Sequence, residues 1–192
     1  MVIDLARFEL DREKTVLLVV DVQEKLVPTL PQQVYCRTLA NIRFLTDSAR
    51  QLGVPVVVTE QYPKGLGHTV PELQAVGDEK TVEKVSFSCC GEPSFLEHLQ
   101  ELKRPQVLVT GMEAHVCVYQ TVLGLLGRGL EPHLVRDAVI ARGKVDYLNA
   151  LELARAAGAV VTTAETAVFQ LMRSSAIPEF RAISALLKER TF

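Results

Sequence analysis

Val107-Leu108-Val109-Thr110-Gly111-Met112-Glu113-Ala114-His115-Val116-Cys117 is the stretch that decides the fold. Residues 107–110 are a short apolar run, the signature of a buried strand. Residues 116–127 read as a helix. Cys117 therefore stands past a strand's C-terminal end and in the first turn of a helix, and that edge of an open α/β sheet is where ligands bind. A helix N-terminus favours negative charge, so the position predicts a thiol shifted toward the thiolate. On this stretch alone two readings stay open. Cys117 is either a nucleophile or a buried structural thiol, since free cysteine is among the most buried residue types.

Working outward, the same alternation of strand and helix recurs. Residues 15–20 (Thr-Val-Leu-Leu-Val-Val) are apolar throughout, as in a strand covered on both faces, and end in Asp21-Val22-Gln23. Apolar residues recur at helical spacing over 34–52, with Gly53 as C-cap. A second strand is predicted at 54–59, a Gly- and Pro-rich loop at 60–70, a short helical turn after Pro71 and a weaker strand at 82–85. Helix 93–102, strand 107–110 and helix 116–127 follow, then strand 132–135, helix 145–157 and strand 159–162. Helices 165–172 and 178–189 close the chain. Short apolar strands alternating with helices predict a single-domain, three-layer α-β-α, doubly wound sheet of about six parallel strands. The domain spans 1–192; 1–14 is a peripheral segment with Phe8 and Leu10 as docking residues.

Bulk properties narrow the function. The 192 residues carry a net charge of −2 and no basic block, which argues against nucleic acid or an anionic membrane as the main partner. No apolar run approaches a membrane span. Residues 1–14 are charged and lack a signal-peptide core, so a cytoplasmic location is expected. Cys36, Cys89, Cys90 and Cys117 show no CxxC spacing, and reduced thiols are expected.

In a parallel sheet all strand C-termini share one edge. Asp21 follows the first strand, Lys84 lies within or just after the third, and Cys117 follows the fourth. If strand order reverses between the first and fourth strands, the three converge at the switch point. Asp21 could then take the thiol proton, Lys84 stabilise the thiolate and Cys117 attack an electrophilic carbon. Separately, Asp21 reads as a turn cap and Lys84 as part of a solvated charged edge.

Three segments together, Leu17-Leu18-Val19-Val20-Asp21-Val22-Gln23, Lys84-Val85-Ser86-Phe87-Ser88 and Gly111 to Val118, resemble the isochorismatase-like cysteine hydrolases. Residues 58–67 and the Met-Glu-Ala-His run are most similar to the isochorismatase-domain-containing hydrolases. The resemblance implies a catalytic triad of Asp21, Lys84 and Cys117, and a cis peptide at Met112–Glu113. It also implies an oxyanion hole from the N–H groups of Glu113 and Cys117 and hydrolysis of a small amide-like substrate through a thioester. A homo-oligomer and no cofactor are further implications. Gln23, Glu60, Tyr62, Phe87 and Met112 are the candidate substrate-pocket residues.

The departures also inform. Nicotinamidases of the family hold zinc through an Asp-x-His pair, and the matching positions here read Glu60-Gln61-Tyr62. With His68 the only histidine nearby, no metal is expected; a zinc-dependent nicotinamidase is the alternative it leaves, alongside a catalytically silent binding or scaffolding protein. Glu113 stands where related amidases have a small residue. His115 is read as a surface or packing residue, Cys89-Cys90 as loop packing, and Gly65-Leu66-Gly67 as no dinucleotide fingerprint.

Overall fold

A computed structural model describes residues 5–74 and 81–190 of the chain. Residues 1–4 of the predicted peripheral segment lie outside that range. The strands are β1 (Thr15–Val20), β2 (Val56–Gln61), β3 (Thr81–Lys84), β4 (Gln106–Met112), β5 (Glu131–Ile140) and β6 (Val160–Thr162). The helices are α1 (Gln32–Gln51), the one-turn α2 (Pro63–Leu66) and α3 (Pro71–Gln74), α4 (Pro93–Leu102), α5 (Tyr119–Leu126), α6 (Lys144–Ala157), α7 (Ala164–Met172) and α8 (Phe180–Lys188).

The six strands pair in parallel, in the order β3-β2-β1-β4-β5-β6. Chain order thus reverses between β1 and β4, where the sequence reading required it, and a crevice opens beyond their C-terminal ends. The five residues of β1 that follow Thr15 alternate between two cores. Leu17 and Val19 face α1, α7 and α8, while Val16, Leu18 and Val20 face α4, α5 and α6. Phe95 of α4 is wholly buried in the second core, a contribution of about 1.5–3 kcal/mol from transfer alone.

Gly111 lets β1 and β4 meet. It pairs with Val20, has φ +114°, and a Cβ there would lie 2.0 Å from the Val20 carbonyl oxygen. No side chain fits that approach.

Several elements differ from the sequence reading, two of them because polar residues continue a strand. β5 continues to Ile140 rather than stopping at 135, because Arg136 and Asp137 interrupt the apolar pattern without breaking the strand. Asp137 is held in place: its carbonyl accepts from Asn41 Nδ2 at 2.7 Å and its Oδ1 from the Ala164 N–H at 2.8 Å, at the start of α7. β2 likewise runs through polar Glu60 and Gln61. The helix expected at 116–127 begins as a π-helical turn, Ala114–Val118, before α5. Leu10 docks into the core as expected, whereas Phe8 is exposed. Among the described residues no helix is long and apolar enough to cross a membrane.

Candidate active site

The three chemistry-bearing residues do share the C-terminal edge. β1 ends at Val20 and delivers Asp21 with φ 50°; β3 ends on Lys84; the π-helical turn after β4 carries Cys117. Asp21 and Lys84 are buried, and Lys84 Nζ donates to Asp21 Oδ2 at 2.6 Å. The other carboxylate oxygen, Oδ1, accepts from Thr59 Oγ1 at 2.7 Å. Lys84 Nζ also reaches Gln61 Oε1 at 2.8 Å and the carbonyls of Phe87 and Ser86 at 3.1 and 3.2 Å. An ammonium has three protons to donate, so every one is engaged. A buried ion pair is tolerated only with such saturation, because desolvating two charges is expensive.

Cys117 is 7% exposed. Burial pushes its thiol well above the ordinary value, and the Asp21 charge pushes further, against an opposing pull from Lys84. This reverses the lowered value expected from a helix N-terminus: desolvation and a carboxylate at hand outweigh the partial charge of one helix end. The resting cysteine is therefore a thiol whose proton faces a carboxylate. Cys89 lies behind the cluster, its Sγ 3.7 Å from Thr59 Oγ1 and its N–H bonded to Thr121 Oγ1 at 2.9 Å. Burial raises the Cys89 thiol to about 12, consistent with packing.

The pocket candidates separate. Gln23 is wholly buried, and its amide is consumed by backbone. Oε1 accepts the Gln61 N–H at 2.7 Å, while Nε2 donates to the Gln61 carbonyl at 3.0 Å and the Gly67 carbonyl at 2.6 Å. It braces the loop after β2 and offers nothing to a ligand. Glu60 is likewise committed: Oε1 accepts from Thr69 N–H at 2.6 Å and Thr69 Oγ1 at 2.8 Å, and Oε2 pairs with His68 Nδ1 at 3.0 Å. Burial disfavours the ionised Glu60, but these bonds prevail and hold it below its usual range, while the Glu60 contact raises His68. Met112 is buried in the α1-side core, because strand alternation turns it away from the face that holds Cys117. Tyr62 and Phe87 are 53% and 54% exposed; Phe87 enters the cluster through its carbonyl. Among the described residues no group of three His, Cys, Asp or Glu side chains is placed to hold a metal.

The Met112–Glu113 peptide is cis. Glu113 is buried, with Oε1 2.7 Å from Arg142 Nε and Oε2 3.5 Å from His115 Nδ1. His115 thus packs against Glu113, the second of the two roles read for it from sequence. Thr59, Gln61 and Arg142 were not identified from sequence. For the first two the available signal was a polar run, Thr59-Glu60-Gln61, closing an otherwise apolar strand.

Comparison with known proteins agrees with this architecture. Residues 15–166 match the family model described as Isochorismatase domain. The chain is 41% identical over 179 residues to isochorismatase domain-containing protein 2 of Danio rerio, covering 93% of this chain and 89% of that protein. It is 39% identical to isochorismatase domain-containing protein 2A of Mus musculus, over 92% of this chain and 84% of the relative. Among solved structures, one described as MAR1 ribonuclease from Caenorhabditis elegans superposes with a TM-score of 0.89 at 37% identity, covering 96% of this chain and 95% of that one. The chain belongs to the isochorismatase-domain family.

Proposed function

We propose that the protein is a cysteine-dependent hydrolase of a small amide-like substrate, using Asp21, Lys84 and Cys117. The observation that carries this reading is the Lys84–Asp21 contact of 2.6 Å, buried beside Cys117 on the ligand edge of the sheet. Asp21 takes the thiol proton as Sγ attacks the carbonyl carbon. The C–S bond forms and the carbonyl electron pair moves to oxygen, where the N–H groups of Glu113 and Cys117 receive it. Collapse of the tetrahedral centre breaks the C–N bond, and the leaving amine takes the proton from Asp21. Water, deprotonated by Asp21, then attacks the thioester; the acid leaves and the proton returns to Cys117. Lys84 keeps the buried negative charge compensated throughout.

Ammonia release from a panel of small primary amides tests the reading. Cys117→Ala and Asp21→Asn are each expected to lower turnover by at least ~100-fold. Full activity in Cys117→Ala refutes it. Silence across the panel with an intact, alkylatable Cys117 favours a binding or scaffolding role. A second reading, RNA cleavage, is favoured by the 37% identity to the Caenorhabditis elegans protein described as a ribonuclease. It is separated by incubating the chain with single-stranded RNA: cleavage that survives Cys117→Ala assigns the activity elsewhere. We also read the chain as a homo-oligomer, on the family resemblance; sedimentation equilibrium measures it.

A further inference from the structure

A cavity of about 520 Å³ opens at the C-terminal end of β5, between the first half of α1 and the start of α6. It contains none of Asp21, Lys84 or Cys117. Its floor is apolar, built from Val139, Ile140 and Ala141, with Val34 and Leu148 as exposed apolar walls. A volume of this size suits a small organic molecule.

The charged lining is one-sided. Four cations, Arg37, Arg136, Lys144 and Arg190, face a single acid, Asp137. Arg190 is compensated within the protein. Its Nε and Nη2 donate to Asn41 Oδ1 at 3.1 and 2.9 Å, its Nη1 lies 3.4 Å from Glu165 Oε2, and its Nη2 lies 3.8 Å from Asp137 Oδ2. Asp137 is thereby also engaged, its other oxygen accepting the Ala164 N–H. The head groups of Arg37, Arg136 and Lys144 have no hydrogen-bond or ion-pair partner among the described residues, and all three residues are exposed. In a chain of net charge −2, this gathers three uncompensated positive charges around an apolar floor. Cations along one wall of a low-dielectric cleft focus the potential and concentrate anions there.

We propose that this cavity is a second binding site, separate from the candidate active site, for a small amphipathic organic anion. The carboxylate or phosphate head would lie against Arg37, Arg136 and Lys144, and the apolar body over Val139 and Ile140. Lys144 and the arginines differ in what they favour: a guanidinium fork matches either head in bidentate fashion, while the ammonium acts as a point charge. The site is independent of the hydrolase reading, since it uses no residue of that cluster.

Isothermal titration of the full chain with phenyl phosphate and with benzoate tests the proposal. Saturable binding of at least one compound, one per chain, is expected, weakening severalfold between about 50 and about 300 mM NaCl as salt screens the exposed charges. The triple variant R37Q/R136Q/K144Q keeps the side-chain stems and is expected to bind at least ~10-fold more weakly, while C117A binds as the parent does. Binding of phenyl phosphate alone assigns a phosphate head; binding of benzoate assigns a carboxylate. Absence of saturable binding, binding that survives the triple substitution, or binding lost in C117A overturns the proposal. So does a triple variant that changes sedimentation mass while the parent binds neither anion, which gives the cavity to a second copy of the chain.

Discussion

Thr59 Oγ1 donates to Asp21 Oδ1 at 2.7 Å while Lys84 Nζ holds Oδ2 at 2.6 Å. The two donors come from neighbouring strands and clamp one carboxylate from both sides. Thr59→Val removes the first donor at nearly constant volume. The expected outcome is an ~10-fold rise in Cys117 alkylation by iodoacetamide, because a carboxylate that loses a donor worth ~1.4 kcal/mol holds the thiol proton more readily, with any amidase turnover altered in step. Thr59→Ser, which keeps the hydroxyl, is expected to restore both. Site-resolved mass spectrometry reads the rate at Cys117, with Cys36 as an exposed internal control.

Lys84→Met strands a buried carboxylate with only the neutral Thr59 and Cys117 groups beside it. Urea denaturation is expected to show a loss of about 3–5 kcal/mol, because the cost is the uncompensated charge and not merely the contact. The double variant Asp21→Asn/Lys84→Met is expected to recover a large part of it. Equal losses in single and double variants would refute the pair as the source.

Gly111→Ala is expected to cost on the order of 3 kcal/mol or more, or to prevent folding, since its Cβ would stand 2.0 Å from the Val20 carbonyl oxygen at φ +114°. Gly129→Ala is the control. It too has positive φ, 75°, but nothing lies within 4 Å of its Cβ, so only the conformational penalty of about 1 kcal/mol applies.

Much of this is legible in the amino-acid sequence. The apolar runs at β1 and β4 identify themselves because both faces of those strands are covered, and their C-terminal residues, Asp21 and Cys117, follow directly. Lys84 is legible only by its place near the end of a weaker strand, since β3 is covered on one face alone. What hid from the sequence was polar residues doing structural work inside strands. Asp137 looks like a strand end but caps α7. Gln23 looks like a ligand contact but spends its amide on the backbone of Gln61 and Gly67. Met112 was assigned to the pocket although one step of strand alternation sends it to the opposite core. Such cases depend on which partner is near in space, and that information is not local. The raised Cys117 thiol has the same origin: helix position is local, whereas burial and the nearness of Asp21 are not.

His133 gives the pH dependence its sign. It is buried in β5 with neither ring nitrogen partnered among the described residues, and burial followed by the Arg7 charge lowers it to about 4. The unfolded chain, with an ordinary value near 6.5, binds the proton more readily. Stability from this group is therefore complete above about pH 6.5 and is lost as pH falls toward 4, by up to about 3 kcal/mol. Thermal melts across this range are expected to show a steeper decline for the parent than for His133→Leu. Parallel curves would refute the assignment.

The saturated ammonium of Lys84 has a consequence for how the site would respond to its surroundings. With its protons committed to Asp21, Gln61 and two carbonyls, Lys84 is fixed as a stationary counter-charge. On the proposed mechanism, movement of the thiol proton from Cys117 to Asp21 moves negative charge from the carboxylate to the sulfur beside that counter-charge and leaves the total unchanged. Activation becomes an internal rearrangement of a neutral cluster, insulated from the acidity of the medium. On the proposed mechanism, a cysteine that rests as a thiol would be spared the oxidants and stray electrophiles that a standing thiolate attracts, and would turn nucleophilic only once a substrate stood over it.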